Sequence, residues 1–265
     1  MCTSFVYRGS TVIIANNFDH PDEDFKLALR EPAHLAVLVN VNGRYFPSFG
    51  ITLDGTFIND LMVEGTEAGR YKRASQNRWT MTTLVENVLT GRAAFDDLST
   101  ILAQKTIVDN PALSTHAMIA NAGGDVRVVE PGRGNLYSPR GDGSHFVMSN
   151  FPLCTAAAPD ATSPGADRYD AASQALADAG PDFGVEDAFA VLEQVAQRGG
   201  NYPTRFSMVA VPADQVVYFS VFGDFHRRFR FSFADDCVTA ARGVDANYCQ
   251  HLSAGGTLGK IFREG

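Results

Sequence analysis

The 265-residue sequence holds no apolar run near the ~20 residues that a membrane-spanning helix needs, and its first residues lack the basic flank and long apolar stretch of a secretion signal. A cytoplasmic location without a membrane partner is the expectation. Basic residues are in deficit, with 22 Lys and Arg against 30 Asp and Glu, a formal charge of -8. Nucleic acids and anionic surfaces are bound mainly through clustered cations, so neither is an expected partner. The two densest basic clusters, Arg70, Lys72, Arg73 and Arg227, Arg228, Arg230, are too short for that role and read as solvated turns or strand faces. Cysteine is scarce: Cys2, Cys154, Cys237 and Cys249 are too scattered for a disulfide framework or a CxxC metal knuckle. Buried free thiols are expected at Cys154, Cys237 and Cys249, although the spacing of the last two also allows a pair.

Ligand spacing is absent too. His20, His34, His116, His145, His226 and His251 include no HxxxH, so structural or solvated roles are expected and neither a metal nor a cofactor is. Gly123-Gly124 and Gly199-Gly200 lack the residues of a phosphate loop and read as turns. Neither an internal repeat nor a long low-complexity segment is visible.

What is there is enough apolar residue, 45% of the chain, for one substantial core, and residues 2–265 are read as a single domain. Thr3 to Tyr7 and Thr11 to Ala15 form a hairpin pattern around Arg8-Gly9-Ser10. His34 to Val41, Tyr45 to Thr52 and Phe57 to Val63 read as a meander with turns at Asn42-Gly43 and Asp54-Gly55. Helical spacing follows at Thr80 to Leu89 and Ala94 to Gln104, and again at Ala166 to Ala179 and Val185 to Gln197. Strands are expected at Ala117 to Asn121, Val126 to Glu130, His145 to Ser149, Phe206 to Val211, Val216 to Val221 and Arg227 to Phe233, with a surface loop over Ala156 to Pro164. Trp79 and the phenylalanines from Phe219 to Phe233 read as core. Strand blocks joined by hairpins and alternating with helix pairs predict an α+β fold with mostly antiparallel sheets. A four-layer αββα sandwich satisfies the pattern, as do two- and three-layer arrangements.

The chemistry-bearing feature is Met1-Cys2. Initiator methionine is removed before a small residue, so Cys2 is expected to hold both a thiol and a new α-amine. A thiol needs a base within hydrogen-bond reach to become a nucleophile, and an α-amine, with a reference pKa near 7.7 to 8.0, suits that role. A small residue at position two has a bland explanation as well. The context is the hairpin, whose second strand ends in Asn16-Asn17-Phe18-Asp19 and brings a carboxylate near Cys2 across the sheet.

These residues resemble the choloylglycine hydrolase and penicillin V acylase family of N-terminal nucleophile hydrolases, with acyltransferase-like peptidases as relatives. Met1-Cys2-Thr3-Ser4 resembles the family opening, and Ala15-Asn16-Asn17-Phe18-Asp19 its Gly-Arg-Asn-hydrophobic-Asp motif. Asp54-Gly55 with Asn59 and Leu61, Asn121 to Asp125 with Val129-Glu130, Val147 to Pro152, and Asp167-Arg168-Tyr169 resemble further family segments in the family's order. The resemblance implies the αββα sandwich, Cys2 as nucleophile, Asp19 orienting its amine, Asn150 donating to an oxyanion and Arg168 beside the thiol. It also implies a small-molecule N-acyl amide substrate, cleaved through an acyl-Cys2 thioester, and a homo-oligomer, since members often form tetramers. Two positions depart from the pattern. Asn16 replaces a family arginine, as in acyltransferase-like members. Glu67 falls where a second oxyanion donor belongs, and a carboxylate cannot serve there. His20 at the expected pocket mouth, Asn16 and Glu67 are the candidate substrate-binding residues; Glu64, Arg70 and Tyr71 border the same segment and also suit a solvated loop. An N-acyltransferase using the same Cys2, or a noncatalytic binding protein of this fold, are the competing expectations.

Overall fold

The computed structural model describes residues 2–155, 160–252 and the backbone of 257–258. The chain opens with a hairpin, β1 (Thr3–Arg8) and β2 (Val12–Asp19), followed by β3 (Phe25–Arg30), β4 (His34–Val41), β5 (Arg44–Thr52), β6 (Phe57–Asn59) and β7 (Leu61–Met62). A parallel pair, β8 (Arg78–Thr80) and β9 (Thr106–Val108), brackets helices α1 (Met81–Leu89) and α2 (Leu98–Gln104). Strands β10 (Thr115–Ala120), β11 (Val126–Glu130), β12 (Gly134–Ser138) and β13 (His145–Met148) lead to helices α3 (Ala166–Ala177) and α4 (Val185–Gln194). Then come β14 (Thr204–Val211), β15 (Val216–Val221), β16 (Arg228–Ser232), β17 (Cys237–Arg242), β18 (Cys249–His251) and β19 (Thr257–Leu258).

Among the described residues, two large antiparallel sheets result. The first runs β13-β1-β2-β14-β15-β16-β17-β18 and the second β12-β11-β10-β6-β5-β4-β3-β19, with β7 paired to β10. The two-residue period of a strand decides what each face meets. In β1 and β2, Val6, Val12, Ile14 and Phe18 point into the space between the sheets, while Phe5, Tyr7, Ile13 and Ala15 meet Ala172, Leu176, Phe189 and Leu192 of α3 and α4. In the second sheet, Leu27, Val37, Phe49 and Met118 face the same inter-sheet core, and Ala28, Ala36, Leu38 and Ile119 meet Leu84, Val85 and Leu98 of α1 and α2. The layers are therefore helices, sheet, sheet, helices, the αββα order. Both faces of each sheet are covered, which explains why every residue of β2 is buried.

Phe206, Phe219 and Phe229 stack across neighbouring strands with centroids 5.2 and 5.3 Å apart. Burying one such ring stabilises the fold by about 1.5–3 kcal/mol; of the expected run, Phe219, Phe225, Phe229 and Phe231 are buried, while Phe222 and Phe233 are half-buried against the core. Gly50 serves a close approach: a Cβ there would collide with the Leu35 carbonyl and Leu89 of α1.

Several expectations are corrected. The strand read over Phe57 to Val63 breaks at Asp60 into β6 and β7, and α2 is entered through a tight 3-10 turn at Phe95–Asp97. Helices α3 and α4 stop two or three residues before the expected ends. Of the loop read over Ala156 to Pro164, residues 156–159 lie outside the described residues. Cys237 and Cys249 form a disulfide rather than two free thiols. The β17–β18 pairing sets Cys237 opposite His251, and these three residues are the donor group near enough to share a metal ion among the described residues; the disulfide uses both thiols. Among the described residues no helix is long and apolar enough to cross a membrane.

Candidate active site

Cys2 lies just before β1, on the inter-sheet face, and is only 6% exposed. The β1–β2 register pairs Thr3 with Asn17, so the hairpin itself carries the end of β2 past Cys2. The Asp19 N–H donates to Cys2 Sγ at 3.4 Å, and the thiol reaches the Asp19 carbonyl at 3.9 Å. Burial pushes the thiol up to about 11; the Asp19 carboxylate adds to this, while the Asp19 N–H and Arg168 oppose it. A buried thiol held in this state is protonated near neutral pH and needs a base.

The Asp19 side chain points toward α4's side of the sheet. Its carboxylate accepts from Thr204 Oγ1 at 2.5 Å and from Gln197 Nε2 at 2.8 Å, and lies 3.7 Å from Arg168 Nη1. Burial raises its pKa to about 6, against the lowering effect of the Thr204 and Gln197 hydrogen bonds and of Arg168.

Arg168 sits in the first turn of α3, where the helix dipole disfavours a cation. Specific partners offset that. Nη1 donates to the Cys2 carbonyl at 2.8 Å and to Thr3 Oγ1 at 2.7 Å, and Nη2 donates to Asn150 Oδ1 at 2.8 Å. Gly165, the residue before α3, has φ +80 and is packed so closely on Ser149 and Arg168 that a Cβ would collide with both. That glycine lets the helix start against β1.

Asn150 follows β13, the edge strand that pairs with β1. Its Oδ1 accepts from the Cys2 backbone nitrogen at 2.8 Å as well as from Arg168, and its Nδ2 donates to the Met62 carbonyl at 2.7 Å. Ser149 Oγ donates to the Cys2 carbonyl at 3.2 Å. Cys2, Asp19, Asn150 and Arg168, four positions separated widely in sequence, thus form one buried hydrogen-bonded group. The Cys2 nitrogen, which would be an α-amine in a chain lacking Met1, faces a fixed acceptor in Asn150 Oδ1.

The three candidate substrate-binding residues fare differently. His20 is at the rim of this group, its ring stacked on Phe18 at 5.1 Å and its Nδ1 at 3.1 Å from the Asp22 backbone, with burial lowering its pKa. Asn16 is tied into a polar knot between the sheets: its Oδ1 accepts from Ser4 Oγ at 2.6 Å and Asn59 Nδ2 at 3.3 Å, while Asn59 Oδ1 accepts the Met118 N–H. Glu67 is not brought to the thiol. Its side chain is 87% exposed and pairs with Arg70 at 3.5 Å. The same segment instead contributes the Met62 carbonyl.

Thr204, Gln197 and Ser149 are site residues that the sequence reading missed. Thr204 reaches Asp19 through the β14–β2 ladder, whose register shifts between Thr204 and Phe206, and sequence spacing carries no trace of that. Two surface grooves flank the helices. One, of about 390 Å³, lies between α3 and α4 at Phe183 and Val191; the other, of about 240 Å³, borders the Asn150 turn through Leu153 and α3 through Tyr169.

No family model and no curated protein sequence matches this chain. Among solved structures, a mutant of the conjugated bile acid hydrolase of Clostridium perfringens superposes with a TM-score of 0.68 at 13% identity, over 96% of this chain and 100% of that one. The penicillin V acylase of Agrobacterium tumefaciens gives 0.64 at 15% identity over 97% and 100%. The Caenorhabditis elegans ortholog of N-acylethanolamine-hydrolyzing acid amidase gives 0.57 at 17% identity over 80% and 93%. With nearly the full length of each of these proteins superposed, the chain shares their fold, the two-sheet, four-layer arrangement described above.

Proposed function

We propose that this protein is an amidohydrolase that cleaves a linear C–N amide bond of a small N-acyl compound, with Cys2 as the nucleophile. The observation that carries the reading is the convergence of Cys2, Asp19, Asn150 and Arg168 on one buried hydrogen-bonded group. The names of the fold relatives, a conjugated bile acid hydrolase, an acylase and an amidase, point the same way.

Removal of Met1 turns the Cys2 nitrogen into an amine whose reference pKa suits a general base near neutral pH. The amine takes the thiol proton, and the thiolate attacks the substrate carbonyl carbon. The carbonyl π electrons move to oxygen, and the oxyanion is met by Asn150 Nδ2, an interaction generally worth about 2.7–4 kcal/mol of barrier. Collapse expels the leaving nitrogen, which takes the proton back from the ammonium group. Water, deprotonated by the same amine, then attacks the thioester and restores the thiol. Asp19 and Arg168 fix the charges around that amine, and the N–H of Asp19 helps hold negative charge on sulfur. Residues 2–265 act as one domain in this reading, because strands from both ends of the chain join sheets over a common core.

Intact mass spectrometry before and after incubation with a panel of N-acyl amides tests this. The expected result is a chain lacking Met1 that gains an acyl mass on Cys2 and releases amine. Full turnover by Cys2→Ala would sink the proposal. Added competing amines, yielding transacylated product, would turn it into the acyltransferase that Asn16 favours.

A further inference from the structure

Beyond the four residues at Cys2 lies a second buried pair. His116 on β10 and Glu130 on β11, 0% and 2% exposed, meet with His116 Nδ1 2.9 Å from Glu130 Oε1. Neighbouring strands create the meeting, since Ala117 pairs with Val129 one step along the ladder. The partners of the pair lie on one segment. His116 Nε2 is 2.8 Å from the Ser149 carbonyl, Glu130 Oε1 accepts the Leu153 N–H at 2.7 Å, and Glu130 Oε2 accepts the Cys154 N–H at 2.9 Å. The turn from Ser149 to Cys154 is thus held at both ends by the second sheet, and it carries Asn150.

Donor arithmetic fixes one proton. A carbonyl oxygen only accepts, so His116 Nε2 carries a hydrogen. Glu130 already accepts two backbone N–H groups and faces the other ring nitrogen. Burial raises its pKa, but the His116, Leu153 and Cys154 hydrogen bonds outweigh that and leave it lowered. An ionised carboxylate requires the facing Nδ1 to donate too. The other ionisable groups nearby are the Cys154 thiol, pushed up to about 12 by burial and by Glu130, and Arg133, which opposes that shift. A buried ion pair gives little net stability, because both charges lose their hydration; what it does fix is geometry.

We propose that His116 and Glu130 are positioning residues, an imidazolium–carboxylate clamp that holds the Ser149–Cys154 turn so that Asn150 Oδ1 meets the Cys2 nitrogen. The inference rests on the hydrolase reading for the meaning of that nitrogen, but its test does not. On loss of the clamp, Asn150 drifts, the ammonium form of the Cys2 amine loses its acceptor, and the fraction of thiolate paired with it falls.

The first measurement is nitrogen NMR of the His116 ring in the unsubstituted protein at neutral pH, assigned with His116→Gln. Two protonated ring nitrogens are expected; a neutral ring would overturn the clamp. The second is the rate of Cys2 alkylation by iodoacetamide against pH, mapped by peptide mass to keep Cys154 separate. Glu130→Gln leaves one turn N–H without an acceptor however the amide is turned, and His116→Gln keeps a donor for Ser149 but not the charge. Both should slow Cys2 alkylation about tenfold, the scale of one lost hydrogen bond to a charged group, and displace its pH midpoint. Rates and midpoints equal to those of the unsubstituted protein in both variants would refute positioning. Dependence on Glu130 in a protein that cleaves no N-acyl amide would uphold this inference while removing the hydrolase reading.

Discussion

Removing the Arg168 guanidinium tests whether the group at Cys2 is one coupled unit. In Arg168→Met, a chain of similar length keeps the packing but removes donors to the Cys2 carbonyl, Thr3 Oγ1 and Asn150 Oδ1, and the positive charge 3.7 Å from Asp19. Breaking a buried pair on one side typically costs 3–5 kcal/mol, because the remaining charge is left uncompensated. Here 3.7 Å lies beyond hydrogen-bond range, and Thr204 and Gln197 still serve the carboxylate, so the lower end, about 3 kcal/mol, is expected. Asp19→Asn removes the charge that Arg168 leaves behind. The double variant should therefore be more stable than the sum of the single losses by at least about 1 kcal/mol, since coupled neighbours fail to add. Urea unfolding of the four proteins at constant pH, with the slopes compared, gives the coupling energy. Additive losses, within about 0.5 kcal/mol, would refute the claim that these side chains act together.

The pH dependences of stability and activity should run in opposite directions near pH 6. Asp19 and Asp60 are both raised to about 6 by burial, so the folded state holds their protons more tightly than the unfolded chain does. Their stabilisation is complete below the ordinary carboxylate range and is lost as pH rises through about 6. Urea midpoints should accordingly fall between about pH 4 and pH 7, less so in Asp19→Asn, while turnover falls on the acid side as Asp19 is protonated. Thiol titration of the unfolded, unreduced chain should find two reactive groups, Cys2 and Cys154, and four after reduction. Cys249→Ser, which opens a loop with a separation of 12 residues, should cost about 2–3 kcal/mol in urea unfolding. Gly165→Ala places a Cβ at φ +80 against Ser149 and Arg168; a loss of about 1–3 kcal/mol and a lower turnover are expected, read by urea unfolding and kcat.

Legibility in the sequence followed how local each determinant is. The hairpin of β1 and β2 could be read because its alternation and its turn lie within the same stretch. β3 is not evident from the sequence although Phe25, Leu27 and Leu29 alternate with Lys26 and Arg30, because the run is short and follows an acidic turn. β17 and β18 owe their pairing to the rest of the first sheet and to a disulfide that spacing alone does not determine. At the site, Cys2 and Asp19 could be brought together by hairpin geometry, and Asn150 and Arg168 by resemblance. Gln197 and Thr204 were out of reach, because their approach to Asp19 depends on the irregular β14–β2 register. The resemblance puts Glu67 at the site, but the chain leaves the sheet after Met62 and an exposed loop carries Glu67 away.

The position of Glu67 also bears on how an oxyanion would be held. Asn150 Oδ1 receives two donors and its Nδ2 faces the Met62 carbonyl, so the amide has one orientation that satisfies all three partners. An amide nitrogen carries two hydrogens. The Met62 carbonyl takes one, which leaves a single side-chain donor for the oxyanion on the proposed reading. Glu67 cannot add another, being both a carboxylate and exposed. The Asp19 N–H is committed to Cys2 Sγ. A second donor then has to be a backbone N–H or another side chain that the bound substrate aligns, so the efficiency of cleavage should depend on how well the acyl chain seats, and poorly seated substrates should lose kcat rather than only raise KM.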